Sequence, residues 1–292
     1  MSPEAAMYIA QAIHGLAYGM LLFLVASGLT LIFGMMGVLN LAHTSFFMLA
    51  GYFCFTALSL TGNFWLALLF APLVSGLLGI LVERLLLRRV KAHGLGHLGE
   101  LLLTLGLALV IAEAVKAGWG TQSLIINIPE SLSGFASILG IKYPVYRLFI
   151  IGLAMALLGL LAALLYLTRL GMIVRAAVSD SEMVDALGIN IPRVFSLVFG
   201  VGTWLAGVAG VAAAPLLTVF PGMADQIGLD AFVVVVVGGF GSLFGAFVVS
   251  LILGELNSFG IQFIPRLAPA LTFAFMALVL SFKPLGFFGE RR

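Results

Sequence analysis

An all-α membrane protein, folded as a polytopic bundle of about eight spans, is what this sequence predicts. Three observations predict it: a mean hydropathy of +1.22, a composition that is 62% hydrophobic and only 9% charged, and apolar runs that recur along all 292 residues. Soluble chains carry about 25% charged residues, and a membrane span needs about 20 apolar ones. A transmembrane β-barrel would alternate apolar and polar residues over stretches of about 10. Leu66–Val82 and Leu153–Leu167 are apolar at nearly every position, which excludes a barrel. Spans consume apolar sequence without building a water-excluded core, so residues 1–292 read as one transmembrane domain.

The candidate spans lie at 9–33, 41–60, 63–83, 98–118, 145–168, 194–219, 230–256 and 266–283. Met1–Gln11 carries no Lys or Arg, and the apolar run after it is too long for the core of a signal peptide, so it reads as an uncleaved first span. Lys and Arg in short loops resist translocation. Arg84, Arg88, Arg89 and Lys91 therefore mark one cytoplasmic loop, and Arg169, Arg175 and Arg193 mark a second, at 169–193. Counting back puts the N-terminus outside. The 119–146 connection is then also outside, where Lys142 and Arg147 are a mild violation.

Straight spans from there to the end would leave Lys283, Arg291 and Arg292 outside as well. The conflict disappears if 231–256 is a discontinuous helix, because Gly238, Gly239, Gly241 and Gly245 interrupt it and each glycine costs about 1 kcal/mol against alanine in a helix. The chain would turn at mid-depth and the C-terminus would sit in the cytoplasm. Gly34, Gly37, Asn40 and His43 interrupt 34–45 in the same way. Irregular backbone at membrane depth is tolerated where it lines a cavity or is buried in protein, and paired interruptions in opposite halves suit a central solute site. Asn40, His43 and Ser45, with Gly238, Gly239, Gly241 and Ser242, are the expected lining of a translocation path. Gly15 with Gly19, Gly241 with Gly245, and Ala206 with Gly210 are small-residue pairs that let helices approach closely.

Other functions find no support. The net charge of +2 comes without a long basic run, which excludes nucleic acid as a partner. A single cysteine, Cys54, excludes an internal disulfide and a cysteine-rich metal site. Gly94-Leu-Gly96-His-Leu-Gly99 spells a dinucleotide fingerprint but joins two spans rather than a strand and a helix. His93, His97 and Glu100 flank that loop without metal-site geometry. Glu113 pairs with Lys116 at an interface, and Glu255 reads as an interfacial helix end. No acidic pair sits mid-span to relay protons, and no catalytic constellation is recognisable, so the chain reads as no enzyme and as binding no cofactor.

The informative polar segment is Arg169–Arg193. Ser179 and Glu182 form a capping box, Gly188 is a stop, and Pro192 forbids continuation. A helix over about 180–187 follows, with Met183, Val184 and Leu187 on one face and Ser181, Glu182 and Asp185 on the other. It is too short to persist alone. Its apolar face rests either on its own bundle or on a soluble partner.

Several runs resemble the inner-membrane permease subunits of branched-chain amino-acid ABC transporters. They are Gly28-Leu-Thr-Leu-Ile-Phe-Gly34-Met-Met-Gly37-Val-Leu-Asn40-Leu-Ala-His43, Arg169-Leu-Gly171 with Arg175-Ala-Ala177, Gly188-Ile-Asn190 with Arg193-Val-Phe195, Gly238-Gly-Phe-Gly241-Ser242-Leu-Phe-Gly245-Ala246, and Lys283-Pro-Leu-Gly286-Phe-Phe-Gly289. They occur in collinear order over essentially the whole chain. The resemblance implies a binding-protein-dependent importer in a bacterial inner membrane: a second, homologous permease chain forming a heterodimer with this one, two cytoplasmic ATP-binding subunits, and a periplasmic solute-binding protein. It implies that ATP is bound by the partners, and that Ser179, Glu182, Met183, Val184, Leu187 and Gly188 belong to a coupling helix docking on the ATPase. Branched-chain or related amino acids are the implied solutes. The alternative is a secondary transporter or channel that works without an ATPase, for which broken helices are equally natural.

Overall fold

The computed structural model describes residues 2–94, 96–138 and 140–289. Ser2 caps α1 (Pro3–Met36) by accepting a hydrogen bond from the Ala5 amide, and proline in the first turn lacks only an amide that the helix leaves unpaired anyway. Glycines with positive φ at 37 and 62 end α1 and α2 (His43–Thr61). Asn63 caps α3 (Phe64–Val82), which passes through a π-helical turn, Glu83–Leu87, into α4 (Arg88–Ala92). α5 (Gly96–Trp119) leads to an antiparallel hairpin of β1 (Phe135–Ile138) and β2 (Ile141–Pro144), in which Phe135 faces Pro144. α6 (Val145–Leu167) is followed by α7 (Arg169–Ser179), α8 (Ser181–Ala186), α9 (Ile191–Leu217), α10 (Met223–Gly238), α11 (Leu243–Phe263) and α12 (Ala268–Phe282). Among the described residues seven helices are long and apolar enough to cross a membrane. The shorter α10 and α12 complete the bundle.

α1 is the central helix, with α11, α9 and α6 against different faces. The α1–α11 contact is antiparallel and glycine-driven: a Cβ added at Gly254 would lie 2.3 Å from the Gly15 carbonyl oxygen, and one at Gly19 would lie 2.7 Å from that of Ser250. α9 crosses α1 at Gly28 and Gly202, α3 at Gly76 and Gly207, and α2 at Gly210. The expected packing use of Gly15, Gly19 and Gly210 is what these contacts show. Gly245 packs on Gly238, whereas its expected helical partner Gly241 lies outside the helix.

Two ends of the bundle differ in charge. Lys91 donates to the Met36 carbonyl (3.2 Å), which places the C-terminus of α1 at the end bearing Arg84, Arg88 and Arg89. The opposite end carries Ser2, Gly62 and the hairpin. Both expected helix breaks exist. After Met36 the chain runs back along α1, and α2 begins only where His43 Nε2 donates to the Val25 carbonyl (3.0 Å). Thr104 of α5 accepts from the Leu41 amide and donates to the Leu39 carbonyl, at 3.3 and 3.4 Å. These bonds satisfy backbone that lipid could not.

The second break separates α10 from α11 at Gly239 (φ +98) and Gly241 (φ +83), conformations that side chains with a Cβ resist. It differs from the expectation in depth and in extent. Gly241 packs against Gly34, two residues from the end of α1, so the turn lies near the basic end rather than halfway. The first limb begins at Met223 rather than near 230, because Gly222 and Met223 start a helix that the polar Asp225 and Gln226 disguise. The tail then closes the break: the Phe287 and Phe288 amides donate to the Val237 and Gly238 carbonyls, at 2.8 and 3.2 Å. The last carbonyls of a helix need such partners. Arg291 and Arg292 lie outside the described residues.

Candidate solute path, docking elbow and polar clusters

The two expected halves of the path do not form one wall. Asn40, His43 and Ser45 are buried and sit on the α9 side of α1, where His43 also faces Gly28. Because a carbonyl only accepts, His43 Nε2 carries the proton of its bond to Val25. Its buried Nδ1, like Asn40 Nδ2, has no partner among the described residues. Asn40 Oδ1 accepts from the Ala42 amide (3.1 Å), which fixes the turn into α2. Gly238 is used for contact with Gly245, and Gly239 for contact with Gly289 of the tail. Gly241 and Ser242 do line a cavity of about 260 Å³ with Thr30, Gly34, Tyr166 and Arg175. Ser242 also caps α11 by accepting from the Gly245 amide (3.0 Å).

The 169–193 segment is an elbow of two helices. α7 precedes the expected helix over 180–187, and Thr168 caps it by accepting from the Gly171 amide (3.1 Å). Because α7 runs through Ser179, the expected capping box does not form. Asp180 caps α8 instead, accepting from the Met183 amide (2.9 Å). Glu182 remains in the first turn, where a negative charge favours the helix. Gly188 stops the element with φ +84. The expected apolar face is divided: Val184 is buried at 5% exposure in a cluster with Val174, Ala177 and Ile191, whereas Met183 and Leu187 are 60% and 74% exposed. Val184 thus rests on the bundle, and Met183 and Leu187 do not.

A buried ionic clamp ties the π turn of α3 to the start of α9, directly after the elbow. Glu83, 2% exposed at its side chain, pairs with Arg88 (3.0 Å) and accepts from the Ser196 hydroxyl (2.5 Å). Arg88 also donates to the Pro192 carbonyl (2.8 Å). π turns concentrate at functional sites. In sequence Arg84–Lys91 is a topology signal only, since Glu83 and Ser196 lie 113 positions apart.

A second polar cluster occupies the opposite end. Tyr18 donates to Asp230 (2.8 Å), and Asp230 stands in the middle of α10 rather than at a span's edge. A carboxylate at a bilayer centre costs about 2.5–3.5 kcal/mol on insertion scales. One turn up α1, His14 Nδ1 meets Arg147 Nη1 (2.5 Å) and the Tyr143 hydroxyl (2.8 Å). Burial holds the Tyr143 hydroxyl above the usual phenol range against the opposing pull of Arg147, so it stays protonated. Arg147 belongs to the first turn of α6, not to a loop. Glu255 is likewise not a helix end: α11 continues to Phe263, and the carboxylate lies against Gly15. Glu113 and Lys116 pair at 2.7 Å on an exposed face, as expected.

Residues 11–282 match the family described as the branched-chain amino acid transport system, permease component. The chain belongs to this family. The permease is 29% identical over 302 residues to the high-affinity branched-chain amino acid transport system permease protein BraD of Pseudomonas aeruginosa, covering 99% of this chain and 98% of that one. It is 28% identical over 311 residues to LivH of Escherichia coli, with the same shares covered. A probable LivH of Methanocaldococcus jannaschii is 28% identical over 254 residues, 82% of the permease and 77% of that protein. No solved structure matches the permease.

Proposed function

We propose that this permease forms the membrane path of an ATP-driven importer for branched-chain or related amino acids in the bacterial inner membrane. Its partners are a second, homologous permease chain in a heterodimer, two cytoplasmic ATP-binding subunits and a periplasmic solute-binding protein. The chain holds no cofactor itself, and ATP is bound by the partners. The basic end faces the cytoplasm and the hairpin faces outward, in keeping with the placement of Lys and Arg.

The observation that supports this reading is the α7–α8 elbow. It sits at the basic end, its inner residue Val184 anchors it to the bundle, and its outer residues Met183 and Leu187 are exposed. A helix of six residues that, with its C-cap Leu187, shows two large apolar side chains outside the bilayer has a surface to meet. Asp180 and Gly188 bound the helix that carries that face, with Glu182 in its first turn, and Met183 and Leu187 make the contact with the ATPase. At the solute side, Gly241 and Ser242 line the cavity at the inner end of the path, while Asn40, His43 and Ser45 hold the first break. The embedded Asp230 is the one observation that favours the alternative, an ion-coupled transporter without an ATPase.

Site-specific crosslinking tests the reading. Leu187→Cys, in a Cys54→Ala background, is expected to crosslink to the ATP-binding subunit, while a cysteine at Ser133 beside the hairpin does not. Crosslinking of position 187 to no ATPase in an assembled complex would overturn it.

A further inference from the structure

At the basic end a cavity of about 260 Å³ lies between α1, α6, α7 and the start of α11. Thr30 lines it from α1, Tyr166 from α6, Arg175 from α7, and Ser242 from the break before α11. The rest of its lining is apolar side chains and glycine, with no carboxylate among them. Ordinary ligand pockets run from about 300 to 1,000 Å³, so this one suits a single small polar group.

Three of these polar groups have donors that the protein leaves unused. Among the described residues Arg175 makes no ion pair. Its guanidinium lies over the Tyr166 ring, 5.3 Å from the centroid. Contact with a ring face orients the planar fork and leaves its five N–H donors free at the edge. Thr30 is 2% exposed, and its buried hydroxyl has no partner among the described residues, although buried polar side chains are nearly always paired. Ser242 accepts from the Gly245 amide, which leaves its own hydrogen to donate. One cation and two hydroxyl donors, with no negative charge beside them, make a seat for an oxyanion.

The surroundings select what carries the oxyanion. Tyr166 and Phe244, which both line the cavity, are exposed, and Leu167, Leu170 and Met172 expose further apolar surface along the α6–α7 junction. α7 buries Gly171, Val174 and Ala177 against the bundle and shows Arg169 and Arg175, the pattern of a helix lying in the membrane interface. Basic pockets between spans at the cytoplasmic face attract anionic headgroups. We propose that this cavity binds the phosphate of an anionic phospholipid from the cytoplasmic leaflet: Arg175 pairs with the phosphate oxygens, the Thr30 and Ser242 hydroxyls donate to them, and the acyl chains leave past Phe244. The lining holds no carboxylate for the ammonium of a zwitterionic headgroup, so a lipid with a net negative charge is preferred. Held there, the headgroup walls off the inner end of the path from the bilayer. The inference rests on the proposed function only for the path and for which end faces the cytoplasm.

The test uses the assembled permease–ATPase complex, stripped of lipid in detergent and titrated with phosphatidylglycerol or with phosphatidylethanolamine of the same acyl chains. Native mass spectrometry counts the lipid retained. The tightest-bound lipid should be phosphatidylglycerol, held about tenfold more strongly than phosphatidylethanolamine, the worth of one charge-assisted contact. Arg175→Gln should weaken phosphatidylglycerol about tenfold and abolish the preference, and Arg175→Lys, which keeps the charge without the fork, should fall between. Thr30→Val, which keeps the shape and removes the hydroxyl, should weaken it about fivefold. Arg169→Gln, exposed on the same helix but outside the cavity, should change nothing. Equal affinity for the two lipids, unchanged binding in Arg175→Gln, or the same loss in Arg169→Gln would overturn the site. Displacement of the lipid by excess inorganic phosphate would assign the cavity to a free anion and overturn the lipid as its occupant. Should Arg175→Gln fail to assemble, Thr30→Val decides by the same count, and wild-type retention there overturns the site. Co-purification of the ATPases is scored on the same spectra. Its absence would remove the importer reading, while the lipid count still decides the site.

Discussion

Removing Arg88 should damage the permease more than removing its partner Glu83, although both sit in the same ion pair. Glu83 is 2% exposed and Arg88 40% exposed at their side chains. Arg88→Ala strips the buried carboxylate of donors at 3.0 and 3.3 Å and leaves it one, the Ser196 hydroxyl. An uncompensated buried charge costs about 3–5 kcal/mol. Glu83→Ala leaves a half-exposed guanidinium that keeps the Pro192 carbonyl and water, so the loss is that of a charged hydrogen bond discounted for solvent, about 1–2 kcal/mol. Glu83→Gln in the Arg88→Ala background should recover most of the larger loss, because a neutral amide still accepts from Ser196. Unfolding of the purified permease by graded denaturing detergent measures all four proteins. Equal losses in the two alanine variants, or no rescue by glutamine, would refute the argument that burial, not pairing, sets the cost.

The elbow yields a contrast between neighbours: Met183→Asp with Leu187→Asp should abolish co-purification of the ATPases at unchanged permease stability, whereas Val184→Asp should lower stability itself, both read from pull-down and detergent unfolding. Asp180→Ala should cost about 1 kcal/mol as a lost cap, and Ser179→Ala should be near neutral in the same unfolding assay. Gly254→Leu should prevent a folded permease from accumulating in membranes, since even a Cβ meets the Gly15 carbonyl oxygen at 2.3 Å; normal expression would contradict the close α1–α11 approach. Thr30→Leu should slow transport by filling the cavity beside Gly241 and Ser242, with assembly retained on gel filtration.

Spans and breaks were legible because their signals are local. Apolar runs mark helices, and the glycines at 37, 239 and 241, all with positive φ, mark where they end. The hairpin of β1 and β2 was not legible, since four residues a strand are too few to alternate clearly. α7 was missed because Arg169, Gly171 and Arg175 look like a loop, yet Val174 and Ala177, both buried at helical spacing, carried its signal. The choice of cap between Ser179 and Asp180 depends on whether the preceding helix consumes Ser179, which no window around it reveals. The polar clusters are of another kind. Tyr18 and Asp230 are 212 positions apart, so no local window pairs them. Arg147 appeared as an exception to the charge rule, and that exception was itself the signal.

ATP-dependent accumulation in proteoliposomes tests the central claim most directly. The permease is reconstituted with its partner chain and ATPases, with ATP inside the vesicles and binding protein and radiolabelled leucine outside. Uptake against a gradient should require both ATP and binding protein, and the Met183→Asp, Leu187→Asp variant should lose it even when its proteins are all present. Accumulation that persists without ATP and follows an imposed ion gradient would contradict the account and make the chain an ion-coupled transporter.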